Sequence, residues 1–513
     1  MNVDLSPVFV LSILLGYFLM LIGVAWYTGR NTTNESFFLA NRNVPWYVVS
    51  YAMIGTSISG VTFISLPGSV GLESGVNRGF GYMQVVLGYL VGYFVIATIL
   101  MPLYYRLQLT SIYGYLEERF GYRSYKTGAA FFILSRTVGS AARMFLAAVV
   151  LQTWVFAPLH VPFEVTIILM LGLIYAYTFK GGLKTIIWTD TIMTTFFIAA
   201  VVWTVFSVGR TLNLNGLGEI WGAVTHSKYS QVFFFDNFAT DPNHFIKQFV
   251  SGALVAIVMT GLDQDLMQKN LACKNIKEAQ KNMFVFCGYL IVINLAFMVL
   301  GSLLYLYANS LGLEIPARTD QLYPKIAFTH MDAAAGIFFI LGLIASTYAS
   351  ADSALTALTT SFCVDFLNFE KKMPEIDPYA PAEEQLKISE AHQKQQKRSR
   401  TLVHLGFAVL FVFIIRLLYA FSDGAVLGLI FKLAGYTYGP LLGLYSFGLF
   451  TQYKLHDKYI PYVCIAAPLL TWALEMSCKQ WFDIGFLTIL LNGLLTIAGL
   501  WIFSYKEQPK ATF

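Results

Sequence analysis

The run Leu343-Ile344-Ala345-Ser346-Thr347-Tyr348-Ala349-Ser350-Ala351-Asp352-Ser353 concentrates hydroxyl groups within an apolar stretch. Positions 343, 346, 347, 350 and 353 recur at helical spacing, so the hydroxyls of Ser346, Thr347, Ser350 and Ser353 share one helix face. Oxygen donors without formal charge suit a small monovalent cation, whereas a divalent site normally assembles several carboxylates. Small hydroxyl residues also let helices pack closely, so the face has two readings. A second run places Gly55, Thr56, Ser57, Ser59, Gly60 and Thr62 in the middle of the apolar stretch 46–71, with Pro67-Gly68 after them. Backbone that leaves the helix at membrane depth must be satisfied by a cavity, an ion or buried protein. Interrupted helices at that depth hold ions and small solutes. Close packing at Gly and Ser is again the alternative.

Three charged residues fall at depths where charge is costly. An ionisable side chain at mid-membrane costs about 2.5–3.5 kcal/mol and is a functional candidate by default. Arg143 lies near the centre of its apolar stretch, too deep to reach either surface easily. Asp190 lies a few residues inside its stretch, where the competing reading is a side chain reaching back toward Lys184 at the surface. Lys432 sits eight residues into its own, where reaching the outer surface is equally open to it. Two cations lining one cavity would favour an anion, and Arg143 can clamp a carboxylate through two parallel bonds. Arg136 and Arg416 read as structural.

The elements that must position these residues follow from composition. Of 513 residues 57% are apolar, 16% aromatic and only 12% charged, about half the charged share usual for a soluble domain. The apolar residues come in blocks of about 20, the length that spans a bilayer. Thirteen are expected: 7–27, 46–71, 80–103, 127–156, 163–179, 186–208, 246–266, 282–309, 333–361, 401–421, 424–451, 460–476 and 484–504. The first lacks the basic flank of a cleavable signal and is kept as a span. The net charge of +5 does not indicate nucleic-acid binding, because Lys and Arg gather in alternate connections. The other connections hold only Arg78, Arg210, Lys228, Arg318, Lys325 and Lys479, so an N-out, C-in orientation is expected. Residues 209–245 carry Trp221 and Phe233-Phe234-Phe235, which predicts a folded outer cap; 368–400, dense in Lys, Glu and Gln, predicts a solvated helical linker on the inner side.

Four segments carry a family resemblance. They are Asn34-Glu35-Ser36-Phe37-Phe38-Leu39-Ala40; Lys180-Gly181-Gly182-Leu183-Lys184-Thr185 with Trp188-Thr189-Asp190-Thr191; Asp263-Gln264 with Gln268-Lys269; and the Ser346-Thr347 helix. In order and spacing, from about residue 34 to 450, the chain resembles the sodium:solute symporter family. The resemblance implies an all-α polytopic protein with a leucine-transporter-type core, two inverted five-helix repeats around a midplane site. The repeats would be 46–208 and 246–451, with 7–27 and 452–513 peripheral. It implies sodium held by the carbonyls of Gly55, Ile58 and Leu343 and the hydroxyls of Ser346 and Thr347. Relatives with a second sodium use positions matching Asp190, Ser346, Ala349 and Ser350, and Ala349 departs from that pattern. Arg143 matches a solute-facing position that resembles, in the sialic-acid branch, the receiver of the substrate carboxylate. By the Gly439-Pro440 register, Lys432 falls where sugar transporters carry a solute-binding glutamine. Ser57, Ser59, Thr62 and Gln84 would add neutral hydrogen bonds for a polyhydroxylated solute.

Other classes lack their residues. Gly181-Gly182-Leu183-Lys184-Thr185 has neither the first glycine nor the spacing of a phosphate loop. An intramembrane hydrolase would need a base paired with a nucleophile, and His404, the only clear intramembrane histidine, lies near the start of its span. No zinc-type cluster of His and Glu is present in the sequence. The expectation is a symporter rather than an enzyme, in a plasma membrane such as a bacterial inner membrane. Its partners are sodium, the lipid bilayer and a small solute, with no other cofactor and no nucleic acid. The solute is an anionic sugar or carboxylate such as a sialic acid, or alternatively a neutral sugar or polyol. A passive channel or facilitator is the alternative of another class.

Overall fold

The computed structural model describes residues 7–30, 34–73, 76–369, 382–421 and 426–506. Every one of the thirteen apolar stretches is helical where described. Among the described residues, nine helices are long and apolar enough to cross a membrane, or eleven if each of two bent pairs counts as one span. The two stretches left over are a shorter apolar helix, Phe163–Thr178, and the helix Val426–Phe450.

The helices that build the centre are α1 (Pro7–Thr28), α2 (Asn34–Leu39), α3 (Trp46–Ser57), α4 (Gly60–Gly68) and α5 (Tyr82–Arg106). They continue with α6 (Tyr122–Leu151), α7 (Phe163–Thr178), α8 (Gly182–Thr211), α9 (Phe245–Ala256), α10 (Gln264–Leu271) and α11 (Ile276–Ser310). The last five are α12 (Ala333–Ser361), α13 (Ala382–Phe421), α14 (Val426–Phe450), α15 (Ile460–Cys478) and α16 (Thr488–Ile502).

The hydroxyl-bearing helix α12 is the centre of the molecule: every residue from Phe339 to Ser361 is buried. Its Ala, Ser and Thr side chains are small enough for neighbours to close on it from all sides, which is how helices associate in lipid. Helix α1 leans on this centre through Tyr17, whose ring meets Phe196 of α8 at 5.2 Å, and Phe18, whose ring meets Tyr348 of α12 at 5.0 Å. Its other face, with Leu15 and Leu19, is exposed as a lipid-facing surface should be.

Two spans break. Between α3 and α4, Ile58 and Ser59 take extended backbone (ψ 97° and 171°) and the axis turns by 61°. The cause is local: Gly and Ser flank the break, and none of them holds a helix strongly. A second break separates Phe245–Gly261 from α10 by 63°. There the Asp263 carboxylate accepts the Asp265 N–H (2.9 Å) and caps α10. Helices α7 and α8 meet at Gly182, whose φ of +57° and ψ of −155° are open to glycine almost alone. A side chain there would also collide with Phe37 of α2.

The segment 209–245 is folded, with a short helix Leu217–Thr225 and the rings of Phe233 and Phe235 stacked at 6.0 Å. Helix α13 starts exposed, where Lys387 pairs with Glu383 at 2.7 Å. It enters the core where buried Arg400 lies 3.9 Å above the Phe37 ring. Residues 370–381 of the expected linker lie outside the described residues.

Candidate functional site

The break in α3/α4 lies directly against the hydroxyl face of α12. The ladder of α3 ends with the Ile58 N–H on the Ile54 carbonyl (2.9 Å), so the Gly55 carbonyl begins the stretch beyond it. Two glycines permit the approach. A Cβ on Gly60 would overlap the Thr347 hydroxyl, and one on Gly55 would crowd Thr194 and the Ala349 methyl. On α12 the Leu343 carbonyl accepts from both Ser346 Oγ (3.1 Å) and Thr347 Oγ1 (2.7 Å), which gathers three oxygens on one turn. The five residues expected at the principal sodium, Gly55, Ile58, Leu343, Ser346 and Thr347, therefore fall on two facing segments, all buried.

The three expected at a second sodium are arranged differently. Ser350 Oγ donates to the Thr347 carbonyl of its own helix (2.9 Å). Asp190 forms a buried ion pair with Lys269 of α10, and the Thr56 hydroxyl donates to the same carboxylate oxygen at 3.0 Å. Lys269 and Asp190 are both fully buried. Asp190 thus points inward to an ammonium rather than back to Lys184.

Beside this layer opens a narrow cavity of about 90 Å³. Ser57, Ser59 and Thr62 line it from the break and Arg143 from α6. Sequence reasoning passed over Tyr82, Tyr89 and Tyr93 of α5, which face the same cavity. Their spacing of seven and four was the available signal. The Tyr82 and Tyr89 hydroxyls meet at 3.0 Å, and Tyr93 meets Thr260 at 3.3 Å.

Arg143 and Arg136 both reach the cavity, and their situations differ. Arg136 is ion-paired with Asp265 and lies 3.7 Å from Asp263. Those carboxylates also accept from Ser353 (2.5 Å) and from Tyr438. Arg143, only 9% exposed, has no ion pair or hydrogen bond to its guanidinium among the described residues. Its charge is held ready beside aromatic hydroxyls.

Two expected residues are elsewhere, which corrects the sequence reading. Gln84 is buried, but its amide donates to the Gly81 and Asn243 carbonyls (3.2 and 2.9 Å) and accepts the Phe234 N–H (3.1 Å). It fastens the outer segment to α5. Lys432 is half exposed and pairs with Glu475 of α15 at 3.1 Å, on the periphery. The side chains around the second break act as fasteners too. Gln264 holds the Thr110 carbonyl (2.7 Å), and Gln268 holds the Phe38 carbonyl and the Thr360 hydroxyl (2.5 and 3.0 Å).

Two bent helices bordering a buried polar cavity at membrane depth are the architecture of a secondary transporter. The sodium:solute symporter family model matches residues 37–454, and the chain belongs to that family. It is similar to the sodium/sialic acid symporter NanT of Aliivibrio fischeri, 23% identical over 93% of this chain and 90% of that protein. It is also similar to the sodium/sialic acid symporter SiaT of Proteus mirabilis, 24% identical over 86% of this chain and 84% of that one. A solved substrate-bound, outward-open structure of a Na+-coupled sialic acid symporter superposes with a TM-score of 0.78 at 18% identity, covering 97% of this chain and 99% of that chain. The fold is the leucine-transporter type, and the protein is an integral membrane sodium-coupled symporter rather than an enzyme.

Proposed function

We propose that the chain imports a carboxylate-bearing, polyhydroxylated solute of the sialic acid class, with sodium as the driving ion. The observation that carries this is Arg143: a buried guanidinium, without a carboxylate partner among the described residues, on the wall of the cavity. A buried charge is retained at cost unless something pairs with it, and a solute carboxylate completes that pair with two parallel bonds. Ser57, Ser59, Thr62 and the three tyrosines offer hydroxyls for the rest of such a solute. The names of the similar symporters point the same way.

Sodium binds one layer inward, between the carbonyls of Gly55 and Ile58 and the Leu343, Ser346 and Thr347 oxygens. The close approach of Gly60 to Thr347 supports this placement. The spans beginning at 46 and 246 head the two inverted repeats, and their bends of 61° and 63° support that division. In this reading the N-terminus lies outside and the C-terminus in the cytoplasm, an orientation that the distribution of Lys and Arg supports, and the membrane is a plasma membrane such as a bacterial inner membrane. Thermal stability of purified protein tests the reading. Sialic acid should stabilise it in sodium and not in choline, and the analogue with an alcohol in place of the carboxylate should not. Equal stabilisation by the two would overturn the anion assignment.

A further inference from the structure

Between α8 and α11 lies a groove of about 430 Å³, several times the volume of the cavity beside Arg143. Val202, Val205 and Phe206 of α8 form one wall, and Val292, Ala296 and Val299 of α11 the other. The short helix Leu217–Thr225 adds Leu217, Ile220 and Trp221. It covers the end that α8 reaches last, because a Cβ on Gly209 would come within 2.9 Å of Ile220. Apart from the Trp221 indole, no lining side chain has a polar atom, so water finds nothing there to bond.

The groove opens toward lipid. Val202 and Val292 on its two walls are 47% and 66% exposed, and both belong to helices that span the membrane. At that depth the surroundings are hydrocarbon, and an apolar hollow is filled by it. A cavity of about 150 Å³ accepts benzene, so this one has room for a chain of roughly a dozen carbons or more.

The covered end supplies a charge. Val202, Phe206 and Arg210 follow at i, i+4 and i+8, so Arg210 continues the groove-lining face of α8 into its last turn. Arg210 is exposed, and its guanidinium forms no ion pair or hydrogen bond among the described residues. Glu219, on the covering helix, spends its carboxylate on the Asn215 N–H at 2.6 Å. Trp221 is half exposed at the same end, as an aromatic residue at a membrane surface is. An apolar chain that ends at a free guanidinium is matched by a lipid tail that ends at a phosphate, which arginine binds through two parallel bonds.

We propose that this groove is a phospholipid site, with one acyl chain between α8 and α11 and the lipid phosphate on Arg210. An anionic headgroup is preferred to a zwitterionic one, whose own ammonium competes with Arg210 for the phosphate. The site is separate from the solute cavity and does not depend on which solute is carried.

Brominated acyl chains quench tryptophan on contact, and Trp221 lines the groove. The full chain is reconstituted in phosphatidylcholine vesicles with a minor fraction of either brominated phosphatidylglycerol or brominated phosphatidylcholine. The Trp221 signal is the difference between wild type and Trp221→Phe. One basic residue at a membrane surface favours an anionic lipid by about fivefold, so phosphatidylglycerol should half-quench Trp221 at about one fifth of the fraction that phosphatidylcholine needs. Arg210→Gln should remove that difference. Ala296→Phe, which fills the groove, should weaken quenching by both lipids. The exposed Arg210→Gln keeps the test open if Ala296→Phe does not fold. Equal quenching by the two lipids in wild type overturns the phosphate site, and so does a preference that survives Arg210→Gln. Quenching unchanged in Ala296→Phe overturns the chain's place in the groove. No quenching of Trp221 at all would mean that a second copy or another part of a protein covers the groove, and would overturn the proposal as a whole.

Discussion

Replacing Arg143 separates binding from folding in a way few buried arginines would. Its guanidinium forms no ion pair among the described residues and Asp263 reaches it only through space, so Arg143→Met should leave no carboxylate without its directly bonded cation. Breaking a buried ion pair from one side costs about 3–5 kcal/mol, and that penalty should be absent here. Arg136→Met should suffer it, because Asp263 and Asp265 would face each other with their cation gone. For the solute the position reverses. Truncating one partner of a desolvated charge pair costs about 2–5 kcal/mol. At 1.4 kcal/mol per decade, this is roughly 30- to 4,000-fold in affinity. Arg143→Lys keeps the charge but loses the second parallel bond. A hydrogen bond to a charged group is worth about 1.5–3 kcal/mol, so binding should weaken roughly 10- to 150-fold. Calorimetric titration with sialic acid in saturating sodium, beside heat-challenge recovery of the monodisperse protein, reads both effects. Arg143→Lys binding within threefold of wild type, or Arg143→Met less heat-stable than Arg136→Met, would refute the reasoning.

Ser346→Ala/Thr347→Ala should lose sodium-dependent uptake in proteoliposomes while the protein still inserts, and an unchanged sodium dependence would remove the assignment. Lys269→Met strands Asp190 and should lower stability by about 3–5 kcal/mol, whereas adding Asp190→Asn should recover most of it. Protease resistance of the two variants compares them, and a single variant as robust as the double would contradict the buried pair. Gly182→Ala forces a side chain into glycine-only backbone, at about 1–3 kcal/mol, and into Phe37 as well. Trimming Phe37 to Ala should relieve the ring contacts but leave the Phe37 Cα 2.6 Å away and the strain, so full rescue of heat stability by that second change would argue against it.

What the sequence disclosed was depth, and what it concealed was direction. Gly55, Ser57, Ser59 and Gly60 announce a broken helix because their helix-weakening character is local, and the break is found at Ile58–Ser59. Arg143 announces itself by distance from both ends of its stretch. Lys432 is equally deep in sequence, but the rotation of α14 aims it at Glu475 on the periphery, and rotation depends on packing against helices far along the chain. Gln84 fails for a similar reason. Its amide is consumed by Asn243 and Phe234, partners about 150 residues away in an irregular segment with no periodicity to read. The Lys269–Asp190 pair joins two spans through residues 79 apart, and neither span alone shows it. The tyrosine face of α5 was legible, but aromatic residues make up 16% of the chain and their spacing attracts little notice.

The buried charges bear directly on what drives transport. Moving one charge through 100 mV yields about 2.3 kcal/mol, and a tenfold ion gradient about 1.4 kcal/mol. One sodium entering with a monovalent anion moves no net charge, so only the gradient counts and accumulation stops near tenfold. Lys269 does not change this, because its ammonium stays with the protein and is never delivered to the inside. It makes Asp190 affordable in the core without contributing to coupling. A second exchangeable sodium would contribute. With two sodium ions per anion, two gradient terms and one charge movement together give about 5 kcal/mol, or accumulation of more than a thousandfold.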